Sequence, residues 1–479
     1  MEERNELDPE YCITLDNVPE GFYEEIAGNA EQIQEWRKLY HLSQKEQLNL
    51  EFMRDNPSLM VDTKYFSEEF KNQLLGSYTR LESMVEGILI HSENLTALSA
   101  LQEEYHGKIK CVYIDPPYNT GGKEFVYKDK YAHSTWLKMM RKRLEAAKDL
   151  LSEEGVYFVS IDDNELARLT LLAEEIFDNG ALIGPIIVQT NPGGRDYLHI
   201  ARTHEYIVVG LKDKEKGKTN EIKKTDVNFR YEDSRGGWNP RGLRNRNPKF
   251  NRTNRPNLFY PIYVNPATAD PNGHAAVSLE NSEEYSIKIL PRNSKGVDDC
   301  WRWGKEKLEQ NIKGNSPDKS NVIAYQKRDG KWRVMEKNRR TKTKVKSIWQ
   351  DSGLRTEDGT RRVRSIFGNT VYDHPKPVEL VKKCILLGAG KEDLILDYFA
   401  GSGTTGEAVL ELNRADRGRR KYILIEQGEY FDTVLKPRIQ KLVYSSQWKD
   451  GVPLTNDGLS HIFKYHKLES APLKEDGTE

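Results

Sequence analysis

The sequence predicts an α/β protein whose mostly parallel sheet is covered by helices on both faces and interrupted by a large inserted region. Three observations carry this. From Gly87 short apolar runs alternate with amphipathic helical stretches, which is the pattern of parallel strands joined by crossover helices. The same rhythm resumes near His374. Between the two segments lies a polar stretch, rich in Asn, Arg, Pro and Gly, where the alternation is lost.

At 479 residues the chain exceeds one ordinary domain and can bury a sizeable core. Residues 1–86 read as helical, because EEIAGNAEQIQEWRKLYHLSQKEQLNLEFM spaces its apolar residues by three and four. GILIHSE then reads as a strand, NLTALSALQEEY as a helix and IKCVYID as a strand. STWLKMMRKRLEAAKDLL follows as a helix, GVYFVSID as a strand and DNELARLTLLAEEIF as a helix. LIGPIIVQT and HEYIVVGLK read as further strands. In the second segment HPKPVELVKKCILLGA is a helix with Pro377 suited to its first turn. The strand DLILDYFA, the helix TTGEAVLEL, the strand KYILIEQ and a long helix EYFDTVLKPRIQKLVYSSQW complete the sheet, and the final SAPLKEDGTE is expected to fray.

Composition narrows the class. Hydrophobic residues make up 37% and charged residues 31%, and no apolar run is long enough for a membrane span. The opening MEERNELDPEYCI has no apolar core of a secretory signal, so a cytoplasmic protein is expected. Cys12, Cys111, Cys300 and Cys384 lie far apart with no CxxC pair, so neither disulfides nor a metal site are expected. The formal net charge of −1 hides an uneven distribution. The row RGGWNPRGLRNRNPKFNRTNR holds Arg235, Arg241, Arg244, Arg246, Lys249, Arg252 and Arg255 with no acid, and KWRVMEKNRRTKTKVK adds Arg339 and Arg340. Such rows are either solvated faces or contacts to a phosphate backbone; their interleaved Trp, Asn and Phe favour the second.

Gly401, Gly403 and Gly406 form G-x-G-x-x-G between a strand and a helix, and Glu426 ends the next strand twenty residues past Gly406. That is the context of a Rossmann-like nucleotide loop, in which glycines admit a ligand to the backbone and the acid accepts ribose hydroxyls. NAD is one ligand of this geometry. S-adenosylmethionine is another, and Asp397 and Asp115 favour it, since acids suit a sulfonium and an ammonium but repel a pyrophosphate. The nearby GAGKED fails as a phosphate loop, because a Walker motif needs Gly at 385 and Ser or Thr at 392, where Ile and Glu stand.

The run VYIDPPYNTGG ends an apolar strand on Asp115, at the sheet edge where open α/β folds bind ligands. Pro116 and Pro117 stiffen the turn and leave its carbonyls out of a helix. A carboxylate and a proline carbonyl can accept both N–H groups of an exocyclic base amine while Tyr118 stacks on the ring. Accepting those protons turns the nitrogen lone pair towards an electrophile. A base in a duplex cannot reach such a fork unless it is flipped out. Methylation at cytosine C5 needs a thiolate, typically of a Cys after Pro, and no cysteine here follows one. A dehydrogenase would leave DPPY unexplained, a decayed DNA-binding relative would be expected to lack the acid or a glycine, and a nuclease would need an acid cluster that the insertion does not offer.

These residues resemble the β-class amino-DNA methyltransferases, and most closely the methyltransferase (Mod) subunits of type III restriction-modification systems. The resemblance covers residues 88–212 and 345–445 and rests on ENLTAL, DPPYNTGGKEFVYKD, STWLKMMRKRL, SIDDNE, THEYIVV, HPKPVEL and DYFAGSGTT. It implies an S-adenosylmethionine-dependent methyltransferase fold divided into an N-terminal region (1–86), a catalytic half (87–212), a target-recognition insertion (213–344), a cofactor half (345–448) and a tail (449–479). It implies that Asp115, Pro116, Pro117 and Tyr118 hold the target base. Asp397, Phe399, Ala400, Gly401, Ser402, Gly403, Thr404 and Thr405, with Lys376 and Pro377, would surround the methionine end of S-adenosylmethionine, and Glu426 its ribose. Asp at the head of the motif goes mainly with N6-adenine in this family, and Ser with N4-cytosine. The implied partners are double-stranded DNA, a second copy in a homodimer and a restriction (Res) subunit, with a stand-alone methyltransferase as the other arrangement.

Overall fold

In a computed structural model the described residues are 8–120, 132–177, 180–194, 199–223 and 227–468. The chain forms two compact units, one of Met1–Glu221 with Lys344–Glu479 and one of Ile222–Thr343.

The first unit is built on an eleven-stranded sheet. Its strands are β1 (Glu10–Thr14), β2 (Met60–Asp62), β3 (Gly87–His91), β4 (Ile109–Ile114), β5 (Leu151–Ile161), β6 (Ile186–Val188) and β7 (Glu205–Leu211) from the first segment. The second segment adds β8 (Ile348–Trp349), β9 (Leu394–Asp397), β10 (Lys421–Glu426) and β11 (Ile462–Lys467). The order is β8-β6-β7-β5-β4-β9-β10-β3-β11-β1-β2. From β5 to β11 every neighbouring pair is parallel, while β7 runs antiparallel to both β5 and β6. Helices α1 (Asn94–Ala100), α2 (His133–Leu150), α3 (Leu166–Ile176), α4 (Thr356–Phe367), α5 (Val378–Gly388), α6 (Thr404–Asp416) and α7 (Lys436–Tyr444) pack around it. Leu89, Val112, Phe158, Leu396 and Ile423 on the central strands are fully or almost fully buried, as near-continuous apolar strands in a doubly covered sheet must be.

The feature that positions the site is the neighbourhood of β4 and β9, which pair in parallel with Cys111 opposite Ile395. From β4 the chain passes through α2 to β5 on one side, and from β9 through α6 to β10 on the other. The crevice beyond their carboxyl ends is therefore a topological switch point, the place where open α/β sheets take ligands.

Four readings of the sequence differ from the structure. The region 1–86, read as helical, also supplies β1 and β2, which pair antiparallel beyond β11; Tyr11, Cys12 and Ile13 are buried there. Residues 462–467, read as part of a tail, form β11 beside β3, with Phe463 opposite Gly87; residues 469–479, including SAPLKEDGTE, lie outside the described residues. The inserted unit starts at Ile222 rather than 213, because Asn220 is tied to the end of α5 through Leu386, Leu387 and Ala389 carbonyls. The stretch EYFDTVLKPRIQKLVYSSQW is also not one regular helix: a π-helical turn over Phe431–Leu435 runs into α7. Among the described residues no helix is long and apolar enough to cross a membrane.

The second unit holds a seven-stranded sheet, antiparallel at every pairing, running from Ile287–Ile289 at one edge to Tyr231–Asp233 at the other. Its own core gathers Ile262, Val264, Trp301, Val322 and Ala324.

Candidate active site

β4 delivers Asp115 to the switch point, and Pro116 and Pro117 carry the chain away without helix formation. Trp136, buried in α2, donates its indole N–H to the Pro117 carbonyl at 2.9 Å, which locks the turn. Of the two proline carbonyls this one is thus already engaged. Asn119 adopts a left-handed conformation (φ 59°), which Asn tolerates better than most residues. Its side-chain amide donates to Glu165 Oε1 at 2.7 Å, and His133 Nδ1 lies 2.5 Å from the same oxygen. Glu165 is fully buried and anchors the turn beyond Tyr118. The rest of DPPYNTGGKEFVYKD, from Gly121 on, lies outside the described residues.

Lys376, expected on the cofactor side, sends its side chain to Tyr118 of the Asp-Pro-Pro-Tyr turn and to Glu205. Its ammonium donates to Tyr118 Oη at 2.6 Å and Glu205 Oε2 at 2.7 Å, and stands 4.6 Å from the centre of the Tyr118 ring. It is 3.5 Å from Asp115 Oδ1, an oxygen that is buried and lacks an aligned hydrogen-bond donor. Tyr118 Oη in turn donates to Glu205 at 3.0 Å. Burial and then the Glu205 charge push the Asp115 carboxyl above the usual carboxylate range, against the lowering effect of Lys376. Burial alone would lower the lysine; Asp115 and Glu205 outweigh it and raise it, so the ammonium stays charged. Only the Lys376 backbone faces the glycine loop, its carbonyl accepting from Thr404 Oγ1 at 3.4 Å. Pro377 is buried as the N-cap of α5.

The glycine loop follows β9. Gly401 (φ 53°) and Gly403 (φ 86°) both need the left-handed region, and a Cβ on Gly401 would come within 2.7 Å of Tyr372 Oη. A Cβ on Gly406 would meet Ile439 at 2.5 Å, so this glycine lets α6 sit close to α7. Asp397 turns inward: one oxygen accepts from Phe399 N at 3.0 Å and the other from Thr405 Oγ1 at 2.5 Å. Burial pushes its carboxyl up to about 7, against those two hydrogen bonds and with added repulsion from Asp115 and Glu426. Glu426, expected to face a ribose, is fully buried and accepts from Gly401 N, Gln427 N and Gly428 N, each at 2.8 Å. Its visible work is to tie the loop to the end of β10. Ala400 N is bonded to the Ile425 carbonyl at 3.1 Å.

Beneath the loop lies a buried cation that no motif indicated. Arg438 Nη1 donates to the Ser402 carbonyl at 3.1 Å, to Ser402 Oγ at 2.7 Å and to Thr404 Oγ1 at 3.1 Å. Its charge is met by Glu407, which also pairs with Arg362 at 2.5 Å. A sequence signal existed: Arg438 falls on the apolar stripe of its helix, three residues after Leu435 and four before Leu442, where a charge has to be paired. Glu205 and Glu165 sat inside THEYIVV and SIDDNE without a sign of what they would touch.

In the second unit the basic rows are only partly available to a ligand. Arg339 donates from Nη2 to both Asp233 oxygens, Arg244 pairs with Asp299, Arg252 with Asp298 at 3.0 Å and Arg241 with Glu336 at 3.4 Å. Arg235 donates to Asn321 Oδ1 at 3.1 Å, and Arg255 lies over the Phe250 ring. Arg246, Lys249 and Arg340 are exposed, Arg340 with a partner of its own. Arg333, which lies in the second basic row but was not singled out there, has its pKa lowered by burial and then by Arg246 and Arg244, so like charges gather at this point.

The catalytic and glycine-loop halves, separated by the insertion in sequence, thus meet on neighbouring strands, and the comparison with known proteins agrees with this pairing of motifs. The chain is 31% identical over 423 residues to the type II methyltransferase M.KpnI of Klebsiella pneumoniae, covering 84% of this chain and 94% of that one. It is 29% identical over 419 residues to the EcoPI Mod subunit of Escherichia phage P1, covering 79% of this chain, and 28% identical over 466 residues to the probable HindVI Mod subunit of Haemophilus influenzae, covering 86%. It spans 62% and 59% of the lengths of those two Mod subunits. The family model for DNA methylases acting at N6 or N4 matches residues 109–436, both halves and the insertion together, and the chain belongs to that family.

Proposed function

We propose that the protein transfers a methyl group from S-adenosylmethionine to the exocyclic N6 amine of an adenine flipped out of double-stranded DNA. The observation that carries this reading is Asp115 at the switch point, with a buried oxygen ion-paired to Lys376 yet lacking an aligned hydrogen-bond donor. A buried carboxylate oxygen in that state is an acceptor waiting for an N–H.

The site's chemistry suits S-adenosylmethionine. Gly401 and Gly403 hold a left-handed turn that lets the backbone approach a ligand, and the Asp115 carboxylate at the crevice favours a sulfonium over a pyrophosphate. When bound, that cofactor supplies an electrophilic methyl carbon. The residues of the chain do the rest. Asp115 accepts one N–H of the amine. The Pro116 carbonyl accepts the other, since Pro117's is held by Trp136. Tyr118 offers its ring to the flipped base. Accepting both N–H groups turns the nitrogen lone pair out of conjugation with the ring, so that it would face the methyl donor. With the methyl group supplied by the cofactor, Asp115 or water would take the proton that the nitrogen sheds.

Adenine rather than cytosine is supported by Asp at the head of the motif. The exposed cations of the second unit, Arg246, Lys249 and Arg340, support a role for that unit in holding the duplex. Similarity to Mod subunits supports a restriction subunit as partner, and similarity over 94% of a type II methyltransferase supports action without one; co-purification from the host decides between them. The function is tested by single-molecule sequencing of DNA from a host expressing the chain. N6-methyladenine at one recurring sequence, absent with Asp115→Ala, is expected; unmodified DNA with wild type overturns the reading.

A further inference from the structure

Lys376 has three N–H donors and uses its two short hydrogen bonds on Tyr118 and Glu205, not on Asp115. That division has a chemical sense. A lysine bonded directly to Asp115 would neutralise the carboxylate but fill the acceptor that the incoming amine needs. A lysine drawn aside by Glu205, 2.7 Å from one acid and 3.5 Å from the other, still supplies the positive charge that keeps Asp115 ionised in a buried setting. It also holds Tyr118 by its hydroxyl and lies within 4.6 Å of its ring centre, so one cation orients both the carboxylate and the aromatic surface.

We propose that Lys376, held by Glu205 on β7, is a positioning residue of the catalytic motif, setting the charge of Asp115 and the orientation of Tyr118 while leaving the amine-accepting oxygen open. This rests on the methyl-transfer function proposed above. It reassigns Lys376 from the cofactor to the amine side of the site and adds Glu205, which no motif assigned. The groups that face Asp115 are Lys376, Glu205, Tyr118, Tyr113, Tyr372 and Asp397. Lys376 is the only cation named among them, so its loss has a predictable sign. Asp115 then favours the protonated form more strongly, and activity that depends on the ionised carboxylate moves to higher pH.

The test is the kcat–pH profile of DNA methylation, with equilibrium binding of S-adenosylmethionine, for wild type, Lys376→Met, Lys376→Arg and Glu205→Gln. With Lys376→Met, cofactor affinity is expected within about threefold of wild type, while kcat at neutral pH falls about tenfold or more and the acid limb rises by about one pH unit. Lys376→Arg keeps the charge and is expected to hold the limb in place. Glu205→Gln frees the lysine to close on Asp115; kcat falls and the acid limb moves down rather than up. Retained cofactor binding reports that each variant is folded. A Lys376→Met variant that loses cofactor affinity in proportion to its activity, or whose limb does not move, overturns the proposal. Absence of methyl transfer by the wild type instead overturns the function on which it rests.

Discussion

Arg438 and Glu407 form an ion pair without solvent exposure, Nη2 to Oε2 at 2.5 Å, directly beneath the glycine loop. Because the same guanidinium bonds Ser402 and Thr404, the charge of Glu407 reaches the ligand loop through one side chain. Glu407→Gln leaves Arg438 and Arg362 beside a neutral partner, and breaking a buried pair in this way typically removes about 3–5 kcal/mol. Urea denaturation is expected to show a loss of that order, with weakened cofactor binding. Burial raises the Glu407 carboxyl, but Arg438 and Arg362 outweigh it and hold it below the usual range. Its stabilisation is therefore present above the unfolded value of about 4.3 and lost as pH falls through the folded one.

Asp397 behaves oppositely. Its folded value of about 7 exceeds the unfolded value of about 3.9, so the folded state holds the proton more tightly. Its effect on stability is most favourable below about pH 4 and declines as pH rises to about 7. Asp397→Asn keeps a bond to Phe399 N and can reverse the one to Thr405. Thermal unfolding across this window is expected to give a flatter Tm–pH curve for the variant than for wild type.

Gly401→Ala imposes two penalties, a Cβ at positive φ and contact with Tyr372 Oη. Cofactor affinity is expected to fall at least about tenfold, equivalent to about 1.4 kcal/mol. Adding Tyr372→Phe relieves the contact and not the φ, so calorimetry of the double variant is expected to recover only part of the loss.

The basic residues of the second unit should separate into two classes. Arg246→Ala or Lys249→Ala is expected to weaken DNA binding at every sequence and to reduce the slope of log K against log salt by about 1 each. Arg339→Ala instead removes the Nη2 that bonds both Asp233 oxygens, leaving Lys337 as the paired cation, and is expected to lower stability by about 1.5 kcal/mol or more. Salt titrations of binding and thermal melts distinguish the two outcomes.

What was legible in the sequence was what is local. DPPY and the glycine loop are contiguous, and strand, turn and helix each leave a pattern within about ten residues. The strands β1, β2 and β11 were missed because they are short and acquire their meaning from pairing across hundreds of residues. The reach of the Lys376 side chain to Tyr118 and Glu205 was not legible, because its backbone and its side chain face opposite halves of the site and a motif records only the backbone's position. Glu205, Glu165 and Arg438 are single residues from remote elements, and their partners exist only in the fold.

The central claim is that Asp115 presents a base amine to a methyl donor. It is tested most directly by incubating the protein with DNA and methyl-labelled S-adenosylmethionine, digesting to nucleosides and identifying the labelled one by mass spectrometry, with Asp115→Ala in parallel. The account predicts label in N6-methyladenine with wild type and none with the variant, which still binds the cofactor. Label in N4-methylcytosine would move the target but keep the amine; label at cytosine C5, or equal labelling by the Asp115→Ala variant, would contradict the account.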